Sequence, residues 1–321
     1  MSNKQNETRS LVAILGLYMT CSLGCAVPGK ENKTNINSSE TSVKAAGKPA
    51  AEQKSGESKS VDSRVAGEVE RMEAEKRATL LQDAKSAIDE TYNALAALDK
   101  GDKQSALAAL ERVTGKLDVL VARDPKLANA PMAVSTVVLD LYATPATVKS
   151  VVAKARSDLA SERVQDARHL VENLASEADI QVTGIPLGTY PAAIRAVAPL
   201  VDAGKLDAAK AALYAALHTL VVDIYVVPLP KVRADAMIAA ANEIANKRDR
   251  NDDDKAKLRG YIEATRVELQ LAEALGYGTK DSYKPLYAEI DDIQKKAEGG
   301  ASGKGLFDKL RQSVKNFKFT V

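Results

Sequence analysis

The chain has no tryptophan, and aromatic residues make up only 4% of its 321 positions, so the large rings that fill many all-β cores are in short supply. Cysteine is almost as scarce: Cys21 and Cys25 are the only two, both close to the N-terminus, which leaves no disulfide to hold a fold further along. Histidine is limited to His169 and His218, neither in an HExxH arrangement, and there is no Gly-x-Ser-x-Gly elbow. Zinc hydrolysis and serine-triad chemistry therefore have no sequence support. Net charge is also lacking. The 45 basic and 43 acidic residues leave +2, which gives no reason to expect a nucleic-acid partner. No apolar run approaches the ~20 residues of a membrane span.

What remains is rich in Ala, Leu, Lys, Glu and Asp, a composition suited to closely packed helices. The expected fold class is mainly α, with antiparallel helical hairpins and a small patch of short β-strands.

The N-terminus reads as an export signal over residues 1–26. Lys4 and Arg9 precede the apolar stretch Leu11–Met19, and small residues follow. Ser22-Leu23-Gly24-Cys25 is an imperfect relative of a bacterial lipobox, so two outcomes are open. Lipidation of Cys25 would anchor the chain to a membrane, whereas cleavage after Ala26 would free it into the periplasm. Residues 27–63 are polar, as in Thr34-Asn35-Ile36-Asn37-Ser38-Ser39, and are expected to form a disordered linker.

Helical periodicity starts near Arg64. Val65, Val69, Met72, Leu81, Ala84, Ile88, Tyr92 and Leu95 fall on one face of what reads as a single long helix ending at Gly101. Asp102 is placed to cap the next, with Ala106, Ala109, Leu110, Val113, Leu117 and Leu120 on its inner face, which completes a hairpin. The turn recurs. Leu98-Asp99-Lys100-Gly101 matches Val201-Asp202-Ala203-Gly204, each followed at the same spacing by two Ala and a Leu. A weaker third copy starts at Leu159, with Glu162 in the glycine position. The aromatic signatures of tetratricopeptide repeats are absent, and no regular solenoid is expected.

Between the hairpins, Ala133–Tyr142, Ile180–Thr183 and Leu220–Val227 are rich in β-branched residues and predict short strands. The second and third run into Ile185-Pro186-Leu187 and Pro228-Leu229-Pro230, Pro-fixed turns before new helices. Further helices are expected over 233–247, 254–275 and 282–296, the middle one capped by Asp253 or Asp254. A Gly-rich hinge begins at Gly299, and all three phenylalanines lie beyond it in a basic tail. Phe307, Leu310, Val314, Phe317 and Phe319 form its candidate apolar interaction face. Docking on its own domain, covering a partner subunit and lying on an anionic membrane all fit that face.

Two near-motifs fail. Gly303-Lys304 lacks the earlier P-loop glycine, where Glu298 stands, and has Gly305 where Ser or Thr would bind magnesium. The run Asp249–Asp254 lacks the glycine at position six of a calcium loop and has Gly260 at position twelve. No catalytic residue, metal site or cofactor is expected. His169 and His218 are the candidate pH-sensing residues: each titrates near about 6.5 when unperturbed, and charging one inside a helix interface would loosen it. Tyr190, Tyr225 and Tyr277 are placed either to line an apolar groove or to fill the core.

Three phrases carry a family resemblance: Leu139-Asp140-Leu141-Tyr142-Ala143-Thr144-Pro145, Pro186-Leu187-Gly188-Thr189-Tyr190-Pro191, and Leu217-His218-Thr219-Leu220 through Pro228-Leu229-Pro230. With them the region 64–298 resembles the YfdX family. The resemblance implies a secreted, mainly helical, self-associating protein of Gram-negative bacteria, tied to acid or heat stress and virulence, with no enzymatic activity attached. The expectation that follows is a non-enzymatic, oligomeric envelope protein protecting against stress by binding unfolded clients or small apolar compounds. The alternative is a tethered structural or signalling module that recruits one envelope partner.

Overall fold

Ala-rich stripes at helical spacing, interrupted by β-branched runs, fold into helices that alternate with three strands. A computed structural model describes residues 54–298 and 305–317, all within the unit Ala51–Val321. In chain order the elements are α1 (Gly56–Ser60), α2 (Asp62–Arg77), α3 (Gln82–Asp99), α4 (Lys103–Arg123), β1 (Asn129–Leu139), α5 (Pro145–Ala160), α6 (Val164–Val171), β2 (Glu177–Pro186), α7 (Tyr190–Arg195), α8 (Ala198–Asp202), α9 (Leu206–Leu217), β3 (Val221–Pro228), α10 (Leu229–Ala245), α11 (Asp252–Leu275), α12 (Lys280–Glu298) and α13 (Asp308–Asn316). The fold is mainly α with a small antiparallel sheet, as expected.

The strands pair in the order β1-β2-β3, with Val134 opposite Val182 and Ile180 opposite Tyr225. Each strand follows a helical pair rather than a β-turn: α3 and α4 lead to β1, α5 and α6 to β2, and α8 and α9 to β3. The three pairs turn in the same way. Gly101 (φ 74°), Glu162 (φ 60°) and Gly204 (φ 72°) are all left-handed. The next residue donates back to the carbonyl five positions earlier: Asp102 to Ala97, Arg163 to Asp158 and Lys205 to Leu200. This is the six-to-one bond of a Schellman turn, which glycine makes without a Cβ penalty and Glu162 makes against one. Gly276 (φ 90°) ends α11 likewise, with Tyr277 donating to Ala272, a fourth instance that the spacing did not reveal.

The apolar interior has three parts. In the first, α3 and α4 press Ala84, Ala87, Leu110 and Leu117 together and against α7 and α9. Small Ala faces bring the helices close, and a fully buried Leu such as Leu117 contributes about 1.5–3 kcal/mol. The second joins α10, α11, α12 and α13. The third lays α2 and α10 on the sheet through Val69, Met237, Ile180 and Val227.

Several expectations are corrected. The long helix breaks between Arg77 and Gln82, because Leu81 leaves helical geometry to donate its amide to Pro131 of β1 at 2.9 Å. The linker boundary at residue 63 is too late: α1 and the start of α2 are ordered, with Ser58 and Val61 buried, because a single apolar residue inserts into the third core. The cap of α11 is Asn251, whose side-chain oxygen accepts from the Asp254 amide at 2.8 Å, so Asp253 and Asp254 fall inside the helix. β1 ends at Leu139 rather than Tyr142, since Asp140 turns away to gather the partners described below. The export signal, Cys25, the linker up to residue 53, hinge residues 299–304 and Phe319 lie outside the described residues.

Candidate functional site

After β1 the loop from Asp140 leads to α5, and its residues 141–144 come together with residues of α1, α10 and α11. Together they enclose an open cleft of about 430 Å³, a size usual for small-ligand pockets. Its walls are apolar, with Leu141, Tyr142, Ala143, Ala264, Val267 and Leu271. Its floor is ionic.

Arg233 of α10 is 2% exposed and sits on the apolar stripe between Leu229 and Met237. Its guanidinium donates to Asp140 and, at 3.2 Å, to Glu268 of α11. Glu268 also accepts from the Ser58 hydroxyl of α1 at 2.8 Å. Burial pushes the Glu268 carboxyl above its ordinary range, against the pull of Arg233 and Ser58. Asp140 is the hub. It accepts from Arg233, from the Tyr142 hydroxyl and from the Ser176 hydroxyl at 3.2 Å, and lies 3.5 Å from the Lys54 ammonium.

Lys54 closes the rim, 2.7 Å from Asp62 and 4.7 Å above the Tyr142 ring. Burial opposes its charge, but Asp62, Tyr142 and Asp140 prevail and hold its pKa above the usual lysine value. Burial likewise raises the Tyr142 phenol. Arg233 Nε is buried without an acceptor among the described residues. Behind Asp140, the Ser176 amide donates to the Tyr277 hydroxyl at 3.0 Å, and that hydroxyl donates to Glu177 at 2.6 Å. The network thereby ties the start of β2 to the end of α11.

The residues singled out in the sequence lie elsewhere. His169 and His218 are exposed, at the last turn of α6 and the C-cap of α9, so neither sits in a helix interface of this chain. Tyr190 and Tyr277 are core residues, Tyr190 bonded to the Thr91 hydroxyl at 3.1 Å, while Tyr225 is exposed with Lys76 Nζ 3.2 Å from its ring centroid. They line no common groove. The apolar face of the tail is turned inward: Phe307, Leu310 and Val314 are buried against α10–α12, and Phe317 is half-buried with its ring centroid 4.7 Å from that of Tyr283. Two of the tail's cations pair with the same body, Lys309 with Glu289 and Arg311 with Asp235.

Arg233, Glu268 and Lys54 carry no sequence motif that marks them as site residues. A visible signal exists for the first two, since each is a charge placed on an otherwise apolar helical stripe. Among the described residues no group of three or more His, Cys, Asp or Glu side chains is disposed to hold a metal ion. Nor is any described helix long and apolar enough to cross a membrane.

Helix–turn–helix–strand units that build a three-stranded antiparallel sheet, with an open cleft bedded on a buried ionic cluster, define the class of this protein. Residues 87–226 match the family model described as YfdX protein. Among solved structures, the chain is similar to a crystal structure of YfdX from Salmonella Typhi, at 17% identity and a TM-score of 0.32, with 47% of this chain and 93% of that chain covered. No curated protein matches. Asp140, Tyr142 and Ser176 fall inside the matched region, whereas Lys54, Ser58, Arg233 and Glu268 fall outside it, so the cluster joins the two.

Proposed function

We propose that this chain is a non-enzymatic protein of the cell envelope that protects against acid or heat stress by binding, with the cleft over Arg233 taking small apolar compounds. The observation that carries the reading is the pairing of apolar walls with a floor whose charges are already matched to one another. Such a floor orients a ligand without attacking it. Asp140 and Glu268 both serve Arg233 as counter-ions, which argues against their use as an acid–base pair. Exposed Val137, Val138 and Leu139 on edge strand β1, with Ile224 and Tyr225 on edge strand β3, offer apolar surface for unfolded clients and for self-association. Export to the periplasm rests on the charged-then-apolar order of residues 1–26, and mass spectrometry of the mature N-terminus decides between a lipidated Cys25 and cleavage after Ala26.

The test of the protective role is suppression of aggregation. Purified mature protein should reduce light scattering from a heat-denatured model enzyme, and from the same enzyme at pH 4, in proportion to its concentration. No effect at equimolar protein under either condition removes the client-binding role.

A further inference from the structure

Every cation of the cleft is committed, and its uncommitted charge is negative. Lys54 is divided between Asp62 and Asp140, and Arg233 between Asp140 and Glu268. Glu57 and Glu263 also line the cleft. Glu57 has no ion pair among the described residues, and its carboxylate settles over Gly260, where even a Cβ would come within 2.7 Å of it. Glu263 has only Arg266, at 3.8 Å, and Arg266 is engaged more closely by Asp291 at 2.5 Å. Three cations, Lys54, Arg233 and Arg266, thus face five carboxylates, counting the groups that line the cleft and those paired with them. Beside that surplus stand Val267, Ala264 and Leu271, and the ring of Tyr142.

We propose that the cleft binds an organic cation with an apolar body, its charge held by Glu57 and Glu263 and its body lying against Val267, Ala264 and Leu271. The proposal rests on the reading of the cleft as a small-molecule site and names the ligand class. Glu57 is half-buried and Glu263 exposed, so the attraction comes from two carboxylates acting together beside an apolar wall, and an alkylammonium gives up its hydration more easily than a metal ion. The buried Nε of Arg233 is the feature that argues for an anion instead, and the test includes that outcome.

Isothermal titration of the full chain with octyltrimethylammonium, octyl sulfate and octanol separates charge from apolarity. The cation is expected to bind at one site, about tenfold or more tighter than the sulfate. Replacing both carboxylates, Glu57→Gln with Glu263→Gln, is expected to weaken the cation about tenfold and to leave octanol unchanged. Both positions are on the surface side of the cleft, and a circular dichroism melt verifies that the variant folds. As a second variant, Val267→Lys places a fixed cation in the cleft and is expected to abolish octyltrimethylammonium binding. Equal or tighter binding of octyl sulfate, or cation affinity unchanged by either variant, overturns the proposal. If octanol binds and the cation binds no better, only the ligand class falls; if none of the three binds, the reading of the cleft falls with it.

Discussion

Arg233 on α10 donates to Glu268 on α11 at 3.2 Å, and both are almost fully covered. With Asp140 as the second acceptor of the guanidinium, the pair joins two helices and the loop after β1 through charges that are largely, though in Asp140 not fully, covered. Removing the cation leaves two carboxylates facing each other in the interior. Arg233→Met is expected to lower unfolding stability by about 3–5 kcal/mol in urea titrations, and Arg233→Lys to recover only part of it, because an ammonium cannot reproduce the two-sided fork. A loss below about 1 kcal/mol for Arg233→Met would show that the cluster adds little to stability.

Glu268 gives the stability curve an unusual component. Its carboxyl is raised in the folded chain by burial, so between its unfolded and folded pKa values the native state holds more protons than the unfolded one. Stability from this group is fully present below the unfolded pKa and is lost as pH rises through the folded value. Carboxylates such as Glu90, lowered by its bond to Arg112, act in the opposite sense and lose their contribution on acidification. Denaturation at several pH values should therefore find that wild type gains on Glu268→Gln as pH falls from 7 toward 4. A gap independent of pH would contradict the raised carboxyl.

Glu162 occupies the left-handed position that Gly101 and Gly204 fill in the two sister turns. It is exposed, so its side chain offsets none of the conformational strain by burial. Glu162→Gly is expected to stabilise the chain by about 0.5–1 kcal/mol, and Gly204→Ala to destabilise it by about 1 kcal/mol, read as opposite shifts in urea midpoint.

Phe307 is 1% exposed and anchors α13 onto α10–α12. Phe307→Ala should lose about 3–5 kcal/mol of stability and increase binding of a hydrophobic dye, because α13 no longer covers Leu286 and Ile290. An unchanged melting temperature with no dye signal would mean that the tail is not part of the folded body.

Much of this architecture was legible in local sequence. The Asp102 cap accepts from the Ser105 amide at 3.0 Å, the repeated Gly turns are left-handed, and each β-branched run forms a strand, because these features depend on a few neighbouring residues. The break at residues 78–81 was not legible, since its cause is the carbonyl of Pro131, remote in sequence. The inward face of the tail was only partly so: Phe307, Leu310 and Val314 share a helical face, but nothing local says that α10–α12 is what they meet.

The sequence by itself determined where helices turn, which faces are apolar and where the strands lie, because backbone sterics and side-chain period act within a few residues. Only the tertiary structure decided that Lys54, Ser58, Asp140, Arg233 and Glu268 share one cluster beneath one cleft. A buried charge is tolerated only where its counter-charge arrives, and here the counter-charges arrive from four separate segments of the chain.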